Sequence, residues 1–275
     1  MAVRPGPATR CNRCKMESMR WIRTAALLAL AISPALAAEL KPQTVEAFER
    51  YIRQTEQRLD QRKGFLWADE SPDRAQLARQ GETVVRPFGA RPESEIVDGL
   101  VHDWVGTIFI PGASLEQTLS VVQDYNRHKD LYKPEVLDSR ILSRNSGDFR
   151  IYLRLMKKKV ITAVLDTEHD VHYYAVDRTR WRSVSKTTKI SEVENPGKSD
   201  ERAKPPGTGQ GFLWKLYTYW RFEERDGGTW VECEAISLTR KVPTGLGWLI
   251  EPIIRNLPKE SLENTLKKTR AALAR

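Results

Sequence analysis

The spacing of apolar side chains changes twice along the chain, which divides it into a helical start, a strand-rich middle and a helical end. In residues 43–64 these side chains recur at steps of three and four, which predicts an amphipathic helix. The stripe consists of Val45, Phe48, Ile52, Thr55 and Leu59. Residues 65–95 are rich in Pro, Arg and Glu and hold few apolar residues, so we interpret them as a linker or wrapping arm.

From residue 96 onwards the pattern becomes strand-like. A first apolar run ends at Pro111-Gly112, and a helix follows whose start has a capping box made by Ser114 and Gln117. A short helical turn is expected at residues 126–131. Six further strand-like runs precede a helical end that begins near residue 244. The six runs cover residues 136–144, 148–157, 160–176, 180–193, 211–225 and 229–241.

Two turns indicate how neighbouring strands pair. Asp226-Gly227 suits a type I′ turn, which pairs Arg225 with Gly228. The apolar face of this hairpin then carries Leu216, Thr218, Trp220 and Phe222 on one strand and Val231, Cys233, Ala235 and Ser237 on the other. The opposite face pairs Arg221 with Glu232 and Tyr219 with Glu234, and we predict that this face is solvated and charge-paired.

The second turn contains the lysine triplet Lys157–Lys159. With all three lysines in the loop, Leu155 lies opposite Ile161 and the apolar residues of both strands share a face. An antiparallel sheet with one apolar face needs a cover, and only the C-terminal helix is long enough to provide it. The pattern therefore predicts an α+β fold.

Four stretches carry a resemblance to a known superfamily: HDWVGTIFIPGASLEQTLSVVQDY, LRLMKKKVITAVLDTEHDVHY, GFLWKLYTYWRFEERDGGTWVECEAISLTR and GLGWLIEP. In this order they resemble the helix-grip fold of the START-like (SRPBCC) superfamily, which includes birch-pollen-allergen proteins, polyketide cyclases and coenzyme Q-binding START-domain proteins. The chain is most similar to the last group and looks like an exported bacterial branch. The resemblance implies a curved, seven-stranded antiparallel sheet wrapped around the C-terminal helix, with a cavity between them for an apolar small molecule.

The resemblance and the composition together predict three parts. Residues 1–38 are expected to hold a misassigned start and a signal peptide, because a basic stretch, a short apolar run and an Ala35-Leu36-Ala37 cleavage pattern follow Met16. Residues 39–95 form the N-terminal helix and linker arm, and residues 96–275 form the START-like ligand-binding domain. The protein is therefore expected to be exported, either to the periplasm or into the medium.

Charge and cysteine content narrow the function classes. The whole chain has a net charge of +9. Six basic side chains and one acidic side chain give residues 1–38 a charge of +5, which leaves +4 for the rest and removes most support for nucleic-acid binding. The triplet Lys157–Lys159 and the pair Lys267-Lys268 leave a peripheral contact with lipid headgroups open, although a solvated hairpin tip explains the triplet better in a chain of this modest charge. Cys233 is the only cysteine after the signal, so no internal disulfide is expected.

No sequence motif indicates a metal, a cofactor or a familiar catalytic centre. His169 and His172 are three apart on a predicted strand, so they point to opposite faces and cannot bind one metal ion. Glu232 and Glu234 share a face, but the predicted pairing with Arg221 favours a structural role over an acid–base pair. Only His169 with Tyr173 remains as a candidate catalytic pair.

The leading hypothesis is a non-catalytic domain that binds a lipid, an isoprenoid quinone or a polyketide-like molecule. A cyclase or dehydratase that uses the same cavity, and a ligand-free partner-binding domain, are the alternatives. Mostly apolar walls with a few polar groups are typical of such cavities. The predicted cavity residues are His169, Tyr173, Trp181, Trp214, Leu216, Trp220, Phe222, Trp248 and Ile253.

The segment GLGWLIEPIIRNLP at residues 245–258 decides how the cavity would be covered. Its aliphatic residues form one helical stripe, but it is too short and too closely followed by charges to span a membrane. Pro252 removes a backbone donor, and Pro258 suits the first turn of a new helix. We therefore expect a kinked, separately placed apolar piece that leads into the long helix, with Trp248 as its main ligand contact.

Overall fold

A single long antiparallel sheet, covered by a helix on each face, organises the structure. The computed structural model describes residues 38–89, 93–158, 162–241 and 247–274, with the backbone alone at residues 247–255. All of these described residues belong to one compact unit. The helices are α1 Pro42–Gln61, α2 Pro72–Arg79, α3 Leu115–Gln123, α4 His128–Leu131 and α5 Gly247–Leu273, with single 3-10 turns at Trp67–Glu70 and Tyr125–Arg127.

The strands reproduce the predicted pattern and add short ones. They are β1 Ala38–Glu39, β2 Val84–Pro87, β3 Glu93–Ile96, β4 Gly99–Pro111, β5 Val136–Asn145, β6 Asp148–Lys158, β7 Thr162–Ala175, β8 Arg180–Glu194, β9 Arg202–Ala203, β10 Thr208–Gly209, β11 Lys215–Arg225 and β12 Gly228–Arg240. The order in the main sheet is β2-β4-β12-β11-β8-β7-β6-β5, all antiparallel, with β3 beside β4. Its seven long strands and α5 form the predicted helix-grip α+β fold.

The hairpin of β11 and β12 has the predicted register. Arg225 pairs with Gly228, and Phe222 pairs with Val231. Asp226 and Gly227 have φ angles of 58° and 76°, as a type I′ turn requires. The capping box at Ser114 and Gln117 is also confirmed, because each side chain binds the backbone N–H of the other residue.

The register predicted for the lysine-rich hairpin is wrong. Leu155 pairs with Leu165, not with Ile161, and Lys158 pairs with Thr162, so the loop lies two residues later than predicted. Both registers keep the same residues on the same face, because side chains alternate with a period of two. Hydrophobic alternation alone could not distinguish them.

The two faces of the sheet have different covers. We call the face toward α5 the inner face and the face toward α1 the outer face. On the inner face, Leu262 and Leu266 of α5 belong to the largest apolar cluster, together with Trp104, Ile108 and Phe222. On the outer face, α1 packs Phe48, Ile52 and Leu59 against the sheet residues Val101, Tyr217, Tyr219, Ile236 and Leu238. A third cluster joins residues 65–88 to Val105, Phe109 and Trp230.

The outer face is not solvated, and that prediction is wrong. Arg221, Glu232 and Glu234 are exposed by 6%, 1% and 1%. The physical reason is that α1 and the residue directly after it carry arginines as well as apolar residues on the side that faces the sheet. The arginines neutralise the buried carboxylates, so the helix can cover a charged surface. None of the helices in the described residues is long and apolar enough to span a membrane.

The C-terminal helix also corrects an expectation. α5 is one continuous helix from Gly247 to Leu273, so Pro252 and Pro258 do not separate an apolar piece from the long helix. A proline costs a helix about 3 kcal/mol, which the packed later turns at Leu262 and Leu266 offset. The side chains of Trp248 and Ile253 lie outside the described residues.

The strand at one end of the sheet is irregular. β5 contains two register shifts, one between Val136 and Asp138 and one between Ile141 and Ser143. The residues skipped by the pairing, Leu137 and Leu142, are exposed.

Candidate functional site

The strand registers arrange the inner face in rows that cross the sheet. Ser185 of β8, Thr218 of β11 and Ala235 of β12 form one row. The next row contains Ser183, Trp220 and Cys233, and the third contains Trp181, Phe222 and Val231. Because all these side chains point toward α5, they form one continuous lining with both apolar and hydroxyl groups.

Several large apolar side chains of this lining are incompletely covered. Trp181, Trp220 and Leu153 of the sheet pack against the buried inner cluster and yet stay half-buried themselves, as do Leu119 of α3 and Leu273 of α5. The rings of Trp220 and Phe222 are parallel to within 6°, with centroids 5.9 Å apart. Phe222 is fully buried beneath this surface. The inner face therefore presents apolar area that a ligand can bury.

His169 is the most buried polar group that the sequence predicted for this site. Its Nε2 lies 3.0 Å from the Thr167 hydroxyl, and its Nδ1 lies 3.4 Å from the Ser185 hydroxyl. Burial lowers the pKa of His169 to about 4, so the imidazole is neutral at physiological pH. His172 lies on the opposite side of the strand and is exposed beside Asp148.

Tyr173 belongs to a separate set of polar contacts. Its hydroxyl lies 2.9 Å from the hydroxyl of Tyr125, and burial raises the pKa of both tyrosines above their ordinary value. Positions 169 and 173 are four residues apart on one strand, which separates them by about 13 Å. The structure therefore does not bring His169 and Tyr173 together as an acid–base pair.

The other predicted cavity residues divide between the faces. Trp181, Leu216, Trp220 and Phe222 carry inner-face positions, and the backbone N–H of Leu216 donates to the Thr187 hydroxyl at 3.1 Å. The predicted position of Trp214 in the cavity is wrong, because its side chain packs in the outer cluster with Phe48 and Ile52. It precedes the first residue of β11, so the strand alternation that placed it inward does not extend to it. Trp248 and Ile253 lie outside the described side chains.

A buried network of charges on the outer face was missed by the sequence reasoning. Glu232 binds both Arg62, at 2.8 Å, and the backbone N–H of Trp67. Arg221 donates to the carbonyl oxygens of Phe65 at 2.6 Å and Leu59 at 2.8 Å. Burial raises the pKa of Glu232 although Arg62 opposes the shift. The network thus ties α1 and the following turn to the centre of the sheet.

A second part of this network lies next to it. Arg58 of α1 pairs with Glu234, and the Tyr51 hydroxyl donates to Asp103 at 2.9 Å. Burial first and repulsion by Glu234 second raise the pKa of Asp103 well above 3.8. The available signal was the spacing of three polar residues in α1 and just after its end: Tyr51, Arg58 and Arg62 follow one another at steps of seven and four.

Two further features of the described residues bear on ligands. A groove of about 540 Å³ runs between α1 and β3 and is lined by Tyr51, Arg50 and Ile96, among others. It opens to solvent on the outer side, away from the predicted cavity. No cluster of three or more His, Cys, Asp or Glu residues suited to a metal ion occurs in the described part of the chain.

Comparison with known proteins finds similar solved structures but no relative close in sequence. No protein-family model matches the chain, and no curated protein matches it. Among solved structures, the protein TTHA0849 from Thermus thermophilus is 17% identical with a TM-score of 0.43, over 62% of this chain and 94% of that one. A STAR-related lipid transfer protein from Xanthomonas axonopodis is 15% identical with a TM-score of 0.42, over 66% and 97%.

The Zhui aromatase/cyclase from a Streptomyces species is 13% identical with a TM-score of 0.40, over 63% of this chain and 93% of that one. Similarity at this level concerns the arrangement of sheet and helices and identifies neither ligand nor reaction. The helix-grip α+β fold predicted from the sequence is confirmed by the order and pairing of the chain's own elements.

Proposed function

We propose that this chain binds a hydrophobic small molecule between the inner face of the sheet and α5, without catalysing a reaction. The observation that carries the proposal is the half-buried apolar lining around Trp220, with hydroxyl groups in the adjacent row. A site with apolar walls and a few polar groups is what ligand recognition requires. The separation of His169 from Tyr173 favours binding over acid–base catalysis.

The driving force for binding is the removal of apolar surface from water. Each Å² buried contributes about 25 cal/mol, before the entropic costs of association are subtracted. The half-buried indoles of Trp181 and Trp220 offer flat surfaces, and flat or extended apolar molecules fit them best. Lipids, isoprenoid quinones and polyketide-like molecules are therefore the ligand classes proposed for testing.

We also propose that the protein is exported. The support comes from the sequence before Ala38: basic residues Arg20 and Arg23, the apolar run at residues 25–32 and the Ala35-Leu36-Ala37 pattern. Expression of the full chain in a Gram-negative host, followed by N-terminal sequencing of the periplasmic fraction, tests this. An uncleaved chain that stays in the cytoplasm contradicts it.

The binding proposal is tested with purified protein by native mass spectrometry, solvent extraction and titration with quinones and lipids. Trp220→Ala removes part of the lining and should weaken ligand binding by about tenfold or more. Leu142→Ala is the matched control, because Leu142 is exposed on β5 and should leave affinity unchanged. Protein that yields no co-purifying molecule and binds none of the added ligands would refute the proposal.

A further inference from the structure

The centre of the inner face carries two neighbouring hydroxyl groups whose hydrogen-bonding capacities differ. Ser185 of β8 and Thr218 of β11 are direct cross-strand partners, and both are half-buried. Cross-strand partners bring their Cβ atoms to about 5 Å, close enough for one ligand group to contact both. What these hydroxyls can recognise depends on which of their protons are already used.

The Thr218 hydroxyl has its proton free. Its oxygen accepts a hydrogen bond from the indole N–H of Trp220 at 3.2 Å. A hydroxyl group has one proton and two lone pairs, and the indole N–H can only donate. Within the described residues no acceptor takes the Thr218 proton, so Thr218 can donate it to a ligand.

The Ser185 hydroxyl has its proton engaged. Thr167 donates its only proton to the carbonyl oxygen of Leu153 at 2.9 Å, so it must accept from His169, and Nε2 of His169 carries the proton. Nδ1 of the neutral imidazole is then an acceptor, and Ser185 donates to it at 3.4 Å. Ser185 therefore presents lone pairs and acts as an acceptor toward a ligand.

Among the described residues, the strand neighbours of this pair are all uncharged. The neighbours along and across the strands are Val171, Ser183, Thr187, Leu216, Trp220 and Ala235. A charged ligand group placed here would lose its hydration without gaining a counter-charge from these neighbours, which disfavours its binding. A neutral polar group is the one that fits.

One donor beside one acceptor matches a ligand hydroxyl, which accepts from Thr218 and donates to Ser185. A ketone or an ether can use only the donor, and a carboxylate or an ammonium group carries charge as well. Resting on the proposed binding function, we infer that the site selects a neutral apolar molecule with a hydroxyl group, an alcohol or a phenol, anchored between Ser185 and Thr218. His169 is a positioning residue in this arrangement, because it orients the Ser185 hydroxyl.

A matched series of probes tests the inference on the full chain. Isothermal titration calorimetry compares three probes with apolar chains of similar length. The hydroxyl group of 1-decanol can donate and accept a hydrogen bond, the oxygen of decyl methyl ether can only accept, and the carboxylate of decanoate carries a charge. We expect 1-decanol to bind about threefold to tenfold more tightly than the ether, because the alcohol makes one additional hydrogen bond. Decanoate should bind most weakly of the three.

The variants Thr218→Val and Ser185→Ala should each reduce the advantage of the alcohol over the ether and leave binding of the ether itself nearly unchanged. Ser143→Ala, in the exposed part of β5, is the control that should change neither. If the ether binds as tightly as the alcohol in the unmodified chain, the inference is overturned while the binding function stands. If none of the three probes binds, the inference is overturned, and the titrations with quinones and lipids decide the binding function separately. The comparison of the three probes uses the unmodified chain, so it tests the inference even if one of the variants fails to fold.

Discussion

Arg62, the residue that directly follows α1, lies 2.8 Å from Glu232 of β12, and the two side chains are exposed by only 6% and 1%. Their positions are 170 residues apart in the sequence. The pair shows that the helix on the outer face is bound through buried charges as well as through apolar contacts. A helix held in this way is an integral part of the protein rather than an appended arm.

Removing one partner of this buried pair should destabilise the protein strongly. Arg62→Leu leaves Glu232 in a buried position with less positive charge, and such changes cost about 3–5 kcal/mol. Unfolding in urea, followed by circular dichroism, measures the loss. Lys41→Leu is the control, because the Lys41–Asp98 pair is exposed to solvent and should contribute little to stability. Equal losses in the two variants would show that the outer-face network is not buried in solution.

Asp103 should make the protein less stable as the pH rises. Its folded-state pKa is raised by burial and by Glu234, so on raising the pH the unfolded chain ionises first, near pH 3.8. Stability that is present below that pH is then lost progressively up to the folded-state pKa. The groups that face Asp103 are Tyr51 and Arg58 from α1 and Glu234 from β12.

Asp103→Asn keeps an acceptor for the Tyr51 hydroxyl and removes the ionisation. The free energy of unfolding of this variant should therefore fall less between pH 4 and pH 7 than that of the unmodified protein. Urea titrations at several pH values measure this difference, with the exposed Asp170→Asn as the control. Parallel pH profiles for the Asp103→Asn variant and the unmodified chain would contradict the assignment.

Three buried histidines should destabilise the protein at acidic pH. Burial lowers the pKa of His102, His128 and His169 from 6.5 to about 4. A depressed pKa gives stability that is present above pH 6.5 and lost as the pH falls toward 4, by about 3 kcal/mol for each group. In NMR titrations their ring resonances should show neutral imidazole down to about pH 5. Midpoints near 6.5 would show that these rings are accessible to water.

Close approach of α5 to β4 depends on a glycine. A Cβ atom at position 106 would lie 2.6 Å from Cδ1 of Leu266 and 2.9 Å from Cγ2 of Val85. Gly106→Ala should therefore cost about 1–3 kcal/mol through overpacking. Leu266→Ala creates space at the same point, so the double variant should lose less than the sum of the two single losses. Strict additivity would mean that α5 does not pack against Gly106.

The sequence was informative where local rules determine the structure. The turn at Asp226-Gly227 fixed the register of β11 and β12, and Ser114 with Gln117 marked the start of α3. The cover of the outer face could not be predicted in this way, because Arg62 and Glu232 are partners only in three dimensions. An alternation of charged and aromatic residues on a strand looks the same whether water or a helix lies above it.

The candidate site shows the same division. Alternation placed Trp181, Trp220 and Phe222 on the inner face correctly, since all three lie inside regular strands. It failed for Trp214, which lies just before β11 begins, because side chains alternate between the two faces only within a regular strand. The hydrogen-bond chain from Leu153 through Thr167 and His169 to Ser185 spans three strands, and only the register of all three reveals it.

The irregular strand β5 has a consequence for how the protein behaves at high concentration. Leu137 and Leu142 of this strand have no pairing partner in β6, which interrupts its regular geometry. The N–H of Ile141 already donates to the side chain of Asn126 at 3.0 Å. At the other end of the sheet, β2 is four residues long and ends in Pro87, which has no N–H. Within the described residues, neither β5 nor β2 offers an uninterrupted row of free peptide groups to another chain, which disfavours the addition of further strands at these borders.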